Sequence, residues 1–345
     1  MTKKWTRAAA VLLLAALAGG AFFWQWRRTR EADTADYIMS TVMTQRVYGP
    51  KGEQAAAQVR QALMDFEAEL SLYRPESDIA RLNVAAGQDF VTVQSLTYRI
   101  LQQAQTLSLE RPDEFALTIA PLTLAWAVTS GNPRVPDQTE LDALLPLVDD
   151  SRLVLKDGAA FLQTEGQGVD LGGVAKGAAC TVAKEIYDAC GVKSALLNIG
   201  GNVYAHGKKV DGTLYQVGFR DPNGGESQAI AALGLCDQVM ATSGGYERYF
   251  EVDGVRYSHI FDPTTGRPAQ SDILSVAVIS GDGLAADFYS TALFVGGMDA
   301  ALAYMRDGGT AMVLSDDGTL YVSKSLEPVF TWVEGYENAY RLEWV

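Results

Sequence analysis

Residues 169–177, VDLGGVAKG, followed by AACTVAKEIYDAC up to Gly191, constrain what this chain can fold into more than any other segment. Paired glycines at the entry to a helix let another group approach the main chain closely, and the unsatisfied amides of a helix's first turn favour phosphate oxygens. Lys176 adds a positive charge at that turn. Taken alone, a strand-to-helix turn that uses its glycines only for packing explains the segment equally well. Two more turns of the kind follow. Gly200 and Gly201 come after the apolar run SALLNI, with Asn198 and Asn202 beside them, and TSGGYER at 242–248 comes after QVMA. One such turn is ordinary hairpin chemistry, but three with hydroxyl or amide neighbours predict loops converging on one polar ligand.

The segments between the turns indicate the fold class. Residues 53–72 place Val59, Ala62, Leu63, Phe66 and Leu70 at helical spacing, which predicts an amphipathic helix, and residues 95–109 also read as helical. SALLNIG, QVMATSG, LSVAVIS and TAMVLSD are short, apolar and bounded by turn residues, as strands are. Residues 37–49 read as a first strand ended by Gly49 and Pro50, and residues 131–138 as a loop. No period of 20–50 residues recurs, which argues against a solenoid. Helices and strands mix without regular βαβ alternation, so an α+β layered architecture is expected.

At the N-terminus, Lys3, Lys4 and Arg7 precede an uncharged stretch from Ala8 to Trp26, about long enough to span a bilayer. Its apolar and aromatic character continues past Ala16 and Ala18, the possible cleavage site, to Trp24 and Trp26. That pattern predicts an uncleaved signal-anchor over 1–30, a polar linker at 31–36 and a domain over 37–345 on the outer side of the membrane. With 48% hydrophobic residues in 345, the chain has enough apolar material for a full core. Asp and Glu outnumber Lys and Arg by 42 to 28, which disfavours nucleic acid as a partner and leaves small anionic ligands open. Cys180, Cys190 and Cys236 have no paired metal-site spacing and read as buried thiols.

Asp287 and Thr291 lie four apart in ADFYSTALFVGG, on one face of a helix. Two oxygen ligands from one turn suit a hard cation such as Mg²⁺, although a solvated face or a local hydrogen bond is the commoner use of this spacing. The chain has two histidines. His206 falls in a polar turn and is expected to meet water. His259 precedes IFDPTTGRP, whose Asp262, Pro263 and Gly266 fix a tight turn, and a histidine held there can serve as a base.

In order along the chain, MST at 39–41, SLYRPESDIARLN at 71–83, FALTIAPLTLAW at 115–126, VDLGGVAKG, NIGGN, ATSGGYER, HIFDPTTGRP and ADFYSTALFVGG resemble the ApbE family of FAD:protein FMN transferases. The resemblance implies an α+β fold of mixed, largely antiparallel sheets and packed helices around a cleft holding FAD and Mg²⁺. It implies transfer of FMN from FAD to a Ser or Thr hydroxyl of an acceptor protein, with AMP as the leaving group. By position, Asp287 and Thr291 become metal ligands, with Gly173, Ala175 and Ser290 as further candidates. Met39, Tyr73, Phe115, Ala116, Thr118, Asp170, Gly172, Gly173, Lys176, His259 and Ile260 line the nucleotide, and His259 accepts the hydroxyl proton. Three positions depart from the family pattern: Ser40 stands for the usual Gly, Ala116 where Asp is common, and Gly245 where TSGDYE is common. Hydrolysis of FAD to FMN and AMP in the same site, or FAD binding without catalysis, are the competing readings.

Overall fold

In the computed structural model, which describes residues 30–129, 131–225 and 228–345, the first described elements are an antiparallel hairpin of β1 (Glu31–Ile38) and β2 (Thr41–Tyr48). Residues 31–36 are therefore strand rather than the expected linker, and the single strand expected over 37–49 folds back on itself at Met39 and Ser40. EADTAD looks like a linker because an edge strand leaves much of its surface to solvent and carries charge there. Its charges pair across the hairpin: Arg46 Nε lies 2.8 Å from Glu31 and its Nη2 2.9 Å from Asp33. The signal-anchor expected over 1–30 lies, save for Arg30, outside the described residues, and no described helix is long and apolar enough to cross a membrane.

After the hairpin come α1 (Gly52–Leu70), α2 (Asp78–Val84), β3 (Val91–Thr92), α3 (Ser95–Glu110), α4 (Ala120–Trp126), α5 (Gln138–Leu144), β4 (Leu153–Lys156), β5 (Ala159–Leu162) and α6 (Ala175–Cys190). Then follow β6 (Ser194–Ile199), β7 (Asn202–Gly207), β8 (Tyr215–Arg220), β9 (Ala229–Leu235), β10 (Gln238–Ser243), β11 (Tyr249–Val252), β12 (Val255–Ser258) and β13 (Ile273–Ser280). The chain finishes with α7 (Gly283–Arg306), β14 (Ala311–Ser315), β15 (Thr319–Val322), β16 (Phe330–Trp332) and β17 (Arg341–Trp344). The helix expected from periodicity over 53–72 is α1, and the one over 95–109 is α3.

One nine-stranded sheet runs in the order β1-β2-β6-β7-β10-β13-β14-β15-β17 and is antiparallel except for β15 against β17. Helices α1, α6 and α7 pack on one face, and a three-stranded sheet, β16-β9-β8, covers the other. The central strands divide their side chains between the two. Val239, Ala241, Val276, Val278 and Val313 join the helical core, whereas Met240, Ala277, Ile279, Met312 and Leu314 join the core beneath the small sheet. A strand covered on both faces gains by burying every residue, so QVMA, SVAVI and AMVL read as unbroken apolar runs.

A smaller cluster of Leu122, Trp126, Leu141 and Phe261 sits to one side, and Trp126 Nε1 donates to the Gly266 carbonyl at 2.8 Å. That bond pins the DPTTG turn to α4. Helix α7 is interrupted at Gly297, with φ 73°, and Asp272 Oδ1 accepts from the Met298 N–H at 2.9 Å where the helix resumes. Cys180 and Cys190 are buried on α6 as expected, while Cys236 is half-buried. His206 is not in a solvated turn. It is buried on β7, its Nδ1 accepting from the Tyr204 hydroxyl at 2.9 Å and its Nε2 donating to the Val192 carbonyl at 3.0 Å. The polar run GKK that suggested a turn starts at Gly207, the last residue of the strand.

Candidate active site

Two tight turns stand side by side at one end of the large sheet. In the β6–β7 hairpin Ile199 pairs with Asn202, leaving Gly200 (φ 52°) and Gly201 (φ 94°) to turn the chain, the two-residue geometry that demands positive φ at both positions. A side chain at Gly200 would meet the Thr41 hydroxyl at 2.5 Å, so the two hairpins touch through this position. In the β1–β2 hairpin Ile38 pairs with Thr41, and the same turn is made by Met39 (φ 55°) and Ser40 (φ 57°). Without glycine, each left-handed residue costs roughly 1–2 kcal/mol. Both turns line a cleft of about 1240 Å³, whose walls also include Tyr73, residues 170–173, Lys176, Arg220, residues 242–244 and 246–249, and His259.

The floor is set by the crossing of α6 and α7. A Cβ at Gly177 would stand 2.0 Å from the Gly283 carbonyl oxygen and 2.6 Å from Asp287 Cβ, so the two helices meet backbone to backbone. That approach brings Asp287, on α7, to the first turn of α6, where its Oδ2 accepts from the Gly177 N–H at 2.9 Å. Its Oδ1 accepts from Asn202 Nδ2 at 2.8 Å and lies 4.0 Å from Lys176 Nζ. Asp287 is 1% exposed, and a carboxylate so buried is tolerable because two N–H donors, an ammonium and the positive end of a helix surround it. Ser243 Oγ lies 2.9 Å from Ser290 Oγ and 3.4 Å from Thr291 Oγ1.

His259 is placed by the strand pair before it. Its main-chain N–H and its Nδ1 both lie 3.1 Å from the Arg248 carbonyl, which only accepts, so Nδ1 carries a proton. Nε2 of the neutral ring then has a lone pair. Burial, followed by the charges of Lys176 and Arg248, lowers the imidazole pKa to about 4, so the ring is neutral around pH 7.

Most residues expected at the site are brought together. Met39, Tyr73, Phe115, Ala116, Asp170, Gly172, Gly173, Ala175, Lys176, His259, Ile260 and Thr291 all line the cleft. Thr118 does not: it is fully buried, and its N–H and hydroxyl donate to Asp150 Oδ1 at 2.8 and 2.7 Å. The 117–119 segment is a single 3-10 turn, and the turn aims Thr118 inward. Asp287 and Ser290 lie beneath the cleft surface rather than on it. Asp170 faces the cleft with both oxygens engaged, by Thr123 Oγ1 at 2.8 Å and the Gly172 N–H at 2.9 Å. Sequence reasoning missed Arg220, Tyr246, Glu247 and Arg248, although the last three sit within the TSGGYER turn it singled out. Asn202 was noted as a ligand neighbour and proves to be the residue that orients Asp287.

The donor set fits a small hard cation. Asp287 contributes carboxylate oxygens that each hold one N–H donor and keep a further lone pair, and Thr291 contributes a hydroxyl at the cleft surface. A Cβ on Gly173 would lie 3.5 Å from Thr291 Oγ1, which brings the main chain of the glycine turn alongside. Ser290 fits less well, since its hydroxyl is spent between Ser243 and the Asp287 carbonyl. Among the described residues no group of three or more His, Cys, Asp or Glu side chains gathers to hold a metal ion.

The three layers and the glycine-walled cleft define an α+β protein with a large cleft at a helix N-terminus, beside oxygen donors and a neutral histidine. The chain belongs to the ApbE family, whose model matches residues 39–314. A FAD:protein FMN transferase from Klebsiella pneumoniae is 35% identical over 256 residues, covering 74% of this chain and 79% of the relative. A FAD:protein FMN transferase from Treponema pallidum is 32% identical over 299 residues, covering 81% and 83%. Among solved structures, the ApbE protein of Thermotoga maritima superposes with a TM-score of 0.81 at 28% identity over 87% of this chain and 99% of that one. The flavin transferase ApbE of Vibrio cholerae gives 0.78 at 25% identity over 87% and 99%.

Proposed function

We propose that this chain is a FAD:protein FMN transferase that moves the FMN moiety of FAD onto a Ser or Thr hydroxyl of an acceptor protein and releases AMP. The observation that carries the reading is the meeting, at one cleft, of the α6 N-terminus, the Thr291 hydroxyl and Asp287 carboxylate of α7, the latter just beneath the surface, and a neutral His259 bearing a lone pair. The cleft volume of about 1240 Å³ exceeds the roughly 300–1,000 Å³ of ordinary ligand sites, which leaves room for a segment of a second protein beside a dinucleotide. Mg²⁺ held by Asp287 and Thr291, with the 173–175 main chain alongside, would neutralise charge gathering on the pyrophosphate oxygens.

The chain's own groups do the rest. Lys176 and the glycine-turn amides hold the phosphates and orient the phosphorus that bears the flavin half. The acceptor oxygen bonds to that phosphorus, the bond to the bridging oxygen breaks, and AMP leaves with that oxygen. The hydroxyl proton passes to His259 Nε2. We place the domain outside the cytoplasm, held by an anchor in residues 8–26, on the strength of the N-terminal pattern.

Incubation of the protein with FAD, Mg²⁺ and a candidate acceptor, followed by mass spectrometry, tests the reading. An FMN adduct on a Ser or Thr with matching AMP is the expected result, and Asp287→Ala should remove both. Free FMN and AMP with no adduct on any acceptor would make the protein a hydrolase instead.

A further inference from the structure

We infer that Arg248 is a positioning residue that holds both walls of the cleft, its side chain bracing the Met39–Ser40 turn and its main chain fixing His259. Its Nη2 donates to the Ser40 carbonyl at 2.9 Å across a sequence separation of 208 residues, and its own carbonyl accepts from both the N–H and Nδ1 of His259. The turn needs a brace. Met39 and Ser40 are both left-handed without being glycine, whereas the adjacent Gly200–Gly201 turn takes the same shape with residues that adopt it freely. A guanidinium-to-carbonyl bond belongs to the stronger class of hydrogen bonds and can offset strain of that size. Met39 lines the cleft, so where the turn sits decides whether it meets the ligand. One residue thereby sets the distance between the nucleotide-facing lip and the proton acceptor. The inference rests on the transferase reading only for the identity of the ligand.

The test uses the full chain as wild type, Arg248→Ala, Arg248→Lys, Ser40→Gly and the Arg248→Ala/Ser40→Gly double variant. FAD affinity is measured by flavin fluorescence with Mg²⁺ and no acceptor, and the melting temperature is measured without ligand. Arg248→Ala should weaken FAD about tenfold, and Arg248→Lys by less. Ser40→Gly alone is the reference for the double variant, since Ser40 itself lines the cleft. Relative to Ser40→Gly, the double variant should lose clearly less FAD affinity than Arg248→Ala loses relative to wild type, because glycine removes one of the turn's two strained positions and so part of the need for a brace. A residue needed only for folding would not be rescued by a glycine on the opposite wall. Melting temperatures should follow the same order. Wild-type affinity in Arg248→Ala, or a double variant that loses as much relative to Ser40→Gly as Arg248→Ala loses relative to wild type, overturns the inference. If no protein binds FAD, the transferase reading fails, and the melting temperatures still decide between a brace and none.

Discussion

His259 combines a fixed tautomer with a depressed pKa, and the two together specify a pH dependence. The free imidazole is protonated only below about 4, so as pH falls the lone pair that accepts the hydroxyl proton is lost there rather than near 6.5. The acid limb of kcat/KM should therefore lie close to 4. Bound phosphates oppose the charges of Lys176 and Arg248 that help depress the ring, so the limb in kcat should lie higher than the limb in kcat/KM. Steady-state rates across pH 3.5–8 check the order of the two. His259→Ala should keep FAD affinity within several-fold while transfer falls by about 10²–10⁴, with both limbs gone. Loss of FAD binding with normal transfer at saturation would make His259 a nucleotide contact and place the base elsewhere. At this scale the sequence was legible for residue type and not for partner. Asp287 stood out as a carboxylate in an apolar helix, but Gly177 and Asn202, which satisfy it, lie 110 and 85 positions away, beyond any local pattern.

The crossing of α6 and α7 shows why elements were easier to read than their junctions. Periodicity and Gly191, left-handed at φ 72°, gave the extent of α6, and the short apolar runs gave the central strands. The glycine-rich turn was read as either ligand-facing or packing; Gly172 and Gly173 line the cleft, while Gly177 lets two helices touch. Gly177→Ala should force the helices apart at a cost of about 3 kcal/mol, lower the melting temperature by several degrees and draw Asp287 away from the α6 first turn. Differential scanning calorimetry and AMP release measured together check this. An unchanged melting temperature would mean that the helices re-pack without loss. The β1–β2 hairpin was misread because edge-strand polarity and linker polarity look alike in sequence.

For the whole molecule, the layered α+β class followed from composition and element order, while the second sheet, β16-β9-β8, did not. β8 and β9 follow one another in the chain, but β16 comes only after β15, and only the fold brings it beside β9 over the large sheet. The proposed anchor makes a prediction at this scale. The protein should sediment with membranes, and protease added outside intact cells should reach the domain that starts at Glu31. Recovery in the soluble cytoplasmic fraction would remove both the anchor and the external location.

Strand β1, the first described element, bears on reach. Strand β1 spans eight residues, and at about 3.4 Å per residue it ends roughly 27 Å from where it begins, at the lip of the cleft. With the proposed anchor at residues 8–26, only residues 27–30 separate it from Glu31, so the mouth would be confined to a shell whose height is set by that short connection and β1 together. A hydroxyl carried on a membrane-bound acceptor would have to be presented within that shell, so the length of one edge strand would act as a ruler that selects acceptors by how far they stand from the lipid.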